Sequence, residues 1–209
     1  MRFLIPLLLF ATACSSATAS IEAQSDSPDD APIPISMSLY LVDSADGGPE
    51  ALLSSSRSVA DIEAIAERMQ AIWEQAGIEL VVETVARIEV PEDAVLGLRN
   101  GDTAGFLTAV RSGAIAIPDP ATINGFYVSH IGTANGMTPF GTRLFFVADE
   151  PSVPDERVSS HEIGHILGLH HVLGDPDRLM FSGTDGAALT APEVAVARYT
   201  ARGILDGVR

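Results

Sequence analysis

The chain has 209 residues, 46% of them hydrophobic, and a formal net charge of −16. That length and apolar content support one domain with a real core and exclude a disordered chain. All 12 basic residues are arginine, too few and too dispersed to make nucleic acid or an anionic membrane surface an expected partner. The acidity suits the solubility of an exported protein, and a preference for basic substrates is the sharper alternative.

The N-terminus supports export. Residues 3–10 form an apolar run behind Arg2, followed by the small residues Ala11, Thr12 and Ala13. This reads as a secretory signal peptide over residues 1–13, too short for an ordinary membrane span. The sole cysteine, Cys14, comes next. The arrangement resembles the lipobox of bacterial lipoproteins, which implies acylation of Cys14 and a place in the cell envelope. Ala11 stands where leucine is usual, and cleavage after an A-x-A site, giving a secreted protein, is the competing reading. A lone cysteine has no disulfide partner within the chain, which favours lipidation. Residues 14–35, rich in Ser, Ala, Asp and Pro, read as a lipid-anchored or flexible tether.

The folded domain is expected over residues 36–209. Met37, Leu39 and Leu41 alternate with Ser36, Ser38 and Tyr40, the period of a half-buried strand. Asp43 and Asp46 near Gly47 and Gly48 suggest a turn, with calcium binding as the weaker alternative. Ser58 and Asp61 form a capping box for a helix whose stripe is Ile62, Ile65, Met69, Ile72 and Trp73, closed by Gly77. Ile78–Val90 alternates as a long strand, with Ile78, Leu80, Val82, Ile88 and Val90 on one side. A short helix is predicted over residues 102–111, ended by Gly113, and a brief strand over 114–117. Residues 123–131 and 143–148 read as strands, the second apolar throughout its middle and so interior to a sheet. Pro154, Asp155 and Glu156 suit the first turn of another helix. A last helix starts at Thr190, capped by Glu193.

Inside the helix that Pro154 opens lies His161-Glu162-Ile163-Gly164-His165-Ile166-Leu167-Gly168-Leu169-His170-His171. His161 and His165, one helical turn apart, leave the same face and can share a metal ion. Gly168 suits a left-handed reversal that brings His171 back as a third nitrogen ligand, leaving a coordination site open. HExxHxxGxxH followed by a methionine is the signature of the metzincin clan of zinc peptidases, and this chain resembles that clan in His161, Glu162, His165, Gly168, His171 and Met180. The long pattern is far more specific than HExxH alone.

The resemblance covers roughly residues 36–209. It implies an α+β fold with a twisted mixed sheet of about five strands, an active-site helix, a methionine turn and a C-terminal helix. It also implies an exposed antiparallel edge strand near residues 136–141, along which a peptide or protein substrate lies as an added strand. One catalytic Zn2+ would be held by His161, His165 and His171, with Glu162 as general base and Met180 as the packing floor. The expected activity is that of a monomeric zinc metalloendopeptidase. A cysteine-switch latch would need a cysteine near the domain. Val172 and Ser182 depart from the residues that separate the clan's families, so no family is assigned. His170 reads as a polar bystander and His130 as a solvated strand end. Two alternatives stand beside this reading: a surface lipoprotein that binds zinc or a partner without cleaving it, and a peptidase of another clan using Glu193 as third ligand.

Overall fold

The structure, a computed structural model, describes residues 31–45, 53–117, 119 and 121–207. The signal peptide, Cys14, most of the tether and the turn at Asp46 to Gly48 lie outside the described residues.

The chain runs β1 (Ile33–Ser44), α1 (Val59–Trp73), β2 (Ile78–Val90), α2 (Glu92–Arg99), α3 (Ala104–Ser112), β3 (Ile123–Val128), β4 (Gly136–Met137), β5 (Leu144–Ala148), α4 (Asp155–Ile166) and α5 (Ala191–Leu205). The strands form one sheet of order β2-β1-β3-β5-β4. Every pairing is parallel except that of β4 with β5. This is the α+β architecture the sequence implied.

Two apolar layers sandwich the sheet. On one side α1, α4 and α5 contribute Ile62, Met69, Trp73, Ile163 and Ala197 to a core shared with Met37, Leu39 and Leu41. On the other side α2 and α3 bring Val95, Leu98 and Phe106 against Tyr40, Val42, Phe126 and Phe146. Phe106 meets Phe126 and Phe146 edge-on, with centroids 4.8 and 4.9 Å away, the arrangement aromatic quadrupoles favour.

β1 departs from the half-buried strand its alternation predicts. It begins at Ile33 and is buried on both faces, Tyr40 and Val42 included, because helices cover both sides of a parallel sheet. β2 also changes face along its length. The pairing with β1 skips Glu83, between Met37↔Val82 and Ser38↔Thr84, and a one-residue slip turns every later side chain over. Ile78 and Leu80 therefore enter the first core while Ile88 and Val90 join the second, and Val82 is left exposed.

Other differences are local. The sequence left residues 92–99 unassigned, although Pro91, Glu92 and Asp93 are a sound helix start; they open α2. Residues 114–117 form no strand, because the Ile115 amide bonds back to Ala109 O and finishes α3. β3 stops at Val128. The capping boxes at Ser58/Asp61 and Thr190/Glu193 are both present. Trp73 is fully buried. Asp43, the described member of the acidic turn, pairs with Arg87 at 2.5 Å.

Candidate metal centre

α4 starts at Asp155 behind Pro154 and carries His161, Glu162 and His165, its inner side packed through Val158 and Ile163. The chain reverses after the helix at Gly168, whose φ of +84° is one that side chains resist. That reversal returns His171 to the helix. Its Nε2 stands 3.1 Å from Nε2 of His161 and 3.1 Å from Nε2 of His165.

The second ring nitrogens of the two helical histidines are anchored. Nδ1 of His161 donates to Leu179 O at 2.7 Å and Nδ1 of His165 to Leu169 O at 3.0 Å. A carbonyl only accepts, so the proton sits on Nδ1 and the Nε2 lone pair faces the shared centre. Burial pushes the His161 imidazole down to about 4, against the help of its Leu179 bond. His165 is lowered as well, again chiefly by burial. Neutral rings with convergent lone pairs are metal ligands in waiting. Zinc bonds of ~2.0–2.1 Å in a tetrahedron would set nitrogens ~3.3 Å apart, close to the 3.1 Å from His171 to each of the other two, and all three lie within 4.8 Å of one another, so the donor set suits that ion.

Met180 is fully buried against α4. Its sulfur lies over Gly164, where even a methyl group would come within 2.6 Å. Glu162 points to the other side, under the edge strand. Its Oε2 accepts from the Thr138 hydroxyl at 2.8 Å, and burial pushes its carboxyl up to about 7 although Thr138 and Arg157 oppose the shift. Gly136 makes this approach possible, since a Cβ there would lie 2.8 Å from Glu162 Oε1. The edge strand is shorter than expected: only Gly136 and Met137 pair with β5. Thr138 turns inward to Glu162, and Phe140 projects fully into solvent.

The remaining candidates lie elsewhere. Glu193 bonds Arg178 and Thr190 and takes no part in the histidine cluster. His130 and His170 are exposed and also outside it. Ser182, in contrast, lines the cleft beside Glu162. Sequence reasoning missed Thr138 and Arg157. Arg157 had a visible signal, four residues before His161 and so on the same helical face.

The sheet order and the helices around it form a fold that is also found among solved metallopeptidase structures. Archaemetzincin from Methanopyrus kandleri is similar with a TM-score of 0.54 and 16% identity, over 80% of this chain and 96% of that one. Metalloproteinase-II from Bacteroides fragilis is similar with a TM-score of 0.53 and 16% identity, over 81% of this chain and 54% of that one. No protein-family model and no curated protein sequence matches the chain.

Proposed function

We propose that the protein is a zinc-dependent endopeptidase acting on peptides or flexible protein segments. One observation carries this reading: three imidazole nitrogens, two fixed by backbone carbonyls with lone pairs inward, converge beside a buried glutamate. His161, His165 and His171 would hold the ion, which when bound would acidify a water and polarise a peptide carbonyl. Glu162 would take a proton from the attacking water and return one to the leaving amine. Thr138 holds the Glu162 carboxylate in place by its hydroxyl. The substrate backbone lies against the open side of β4 as an added strand.

Export also belongs to the proposal, supported by the apolar run of residues 3–10 and by Cys14. Cys14→Ser would separate a lipid-anchored from a secreted protein by its distribution between membrane and medium.

The test of activity is cleavage of a broad peptide library with and without a zinc chelator, beside Glu162→Ala. Chelator-sensitive cutting that falls by at least ~100-fold in Glu162→Ala is expected. Stoichiometric zinc binding with no cutting of any peptide would instead favour a binding protein. His171→Ala should lose both metal and activity, and retention of either would sink the three-histidine site.

A further inference from the structure

A cavity of about 210 Å3 opens over the histidine cluster, where His161, His171 and Glu162 line it together with the segment 134–136, Arg157, and Ser182 with Gly183. Arg157 forms part of its wall and is only 4% exposed. Two of its three guanidinium nitrogens are committed to backbone. Nε donates to Gly186 O at 3.2 Å, and Nη2 donates to Leu179 O at 2.8 Å and to Phe181 O. Among the described residues, Nη1 has no hydrogen-bond partner. No carboxylate among them is in ion-pair contact with this arginine either, and Glu162 and Asp185 act on it only through space.

A cation this buried has given up most of its hydration without an anion in return, while Nη1 is not among the buried atoms left without a partner and so still reaches solvent. A carboxylate that bonds the accessible Nη1 supplies the missing anion through a charge-assisted bond. Glu162 and Asp185 nearby would oppose a multiply charged group, which limits the site to a single negative charge.

We infer that this cavity is a subsite for a carboxylate of the substrate, held by Arg157 beside the scissile bond. The inference rests on the peptidase reading. It reverses the preference for basic substrates that the net charge of −16 suggests. Surface charge acts across screened solvent, whereas a contact inside the cavity is short and desolvated. The carboxylate has two possible sources, an Asp or Glu side chain flanking the cut or a free C-terminus close to it.

The experiment uses the zinc-loaded full chain and has two parts. In the first, the Arg157 guanidinium signals are followed by NMR during titration with N-acetyl-aspartate amide and with N-acetyl-asparagine amide. A saturable shift with the aspartate compound, at least ~10-fold weaker with the asparagine compound, is expected. In the second, C-terminally amidated peptides carrying Asp or Asn, and Glu or Gln, at each position flanking the cut are compared by kcat/KM. A parallel set without acidic residues compares free with amidated C-termini. A ~10- to 100-fold preference for the charged member is expected in one set, and the set that shows it identifies the source. Arg157→Met should erase the preference. Should that variant not fold, Ser182→Asp, which puts a like charge on the cavity wall, should weaken the preference without loss of fold. Equal treatment of Asp and Asn, and of free and amidated C-termini, with cutting intact would overturn the inference and leave the peptidase standing. If nothing is cut, the peptidase reading falls and the NMR titration alone decides the subsite: a selective shift upholds it and none overturns it.

Discussion

Two buried arginines, both within about a tenth of full exposure, are treated in opposite ways. Arg57, ahead of α1, meets Asp155 at 2.5 Å and Asp149 at 3.5 Å, donates to the carbonyls of Ala148 and Asp149, and lies 5.7 Å from the centre of the Tyr127 ring. Burial works against its charge, yet Asp155 and Asp149 outweigh it and its pKa is raised. Arg157 has only carbonyls in contact, and burial leaves its pKa lowered. The first arginine ties the end of β5 to the start of α4 with its charge matched inside the protein. The second holds the methionine turn with its charge unmatched. An arginine whose counter-charge is missing, next to a cleft, marks a place where the partner comes from outside.

This contrast predicts a graded series. Arg57→Met strands the charges of Asp149 and Asp155 and should cost about 3–5 kcal/mol in urea unfolding, with Arg57→Lys recovering part of it. An effect under ~1 kcal/mol would show that the pair is not a structural tie. Arg157→Met leaves carbonyls unpaired but no stranded anion in contact, so about 1–3 kcal/mol is expected. Because Leu179 O accepts from both Arg157 and His161, the same variant should weaken zinc binding by ~10-fold in a chelator competition. Unchanged zinc affinity would confine Arg157 to the turn.

The half-buried pair of Arg178 and Glu193 supplies the smallest term. Burial pushes the Glu193 carboxyl up, but bonds from Arg178 and Thr190 outweigh it and hold it below its ordinary value. A depressed folded pKa gives stability that is complete above the unfolded value and lost as pH falls through the folded one. Glu193→Gln keeps an acceptor for Thr190 N–H and removes only the charge that faces Arg178, so it should cost up to about 1 kcal/mol at neutral pH, and the deficit should shrink in acid. A constant deficit across that range would mean that charge is not involved.

How much of this was legible in the sequence follows the range of the interactions. Both capping boxes, the reversal at Gly168 and the three histidines are set by residues within a few positions of one another, and they stand where sequence placed them. β1 was misjudged because its burial is decided by α2 and α3, helices more than forty residues away, and α2 itself went unassigned. The flip in β2 depends on which residue β1 skips, which alternation within β2 does not reveal. Thr138 and Gly136 acquire their meaning only from Glu162, twenty-odd positions on, and Arg157 from a turn that closes over it later in the chain. Local chemistry announced the histidine cluster, while the groups around Glu162 are a product of tertiary packing.

The two-residue length of β4 has a consequence for what the protein would leave alone. Each main-chain bond to an added strand is worth only ~1 kcal/mol net, and a rim of two paired residues offers few of them. An extended chain of arbitrary sequence would thus be gripped weakly and released before it is cut. The brevity of the rim would act as a safeguard, sparing neighbouring proteins that happen to unfold and reserving cleavage for chains that bring a carboxylate to the cavity.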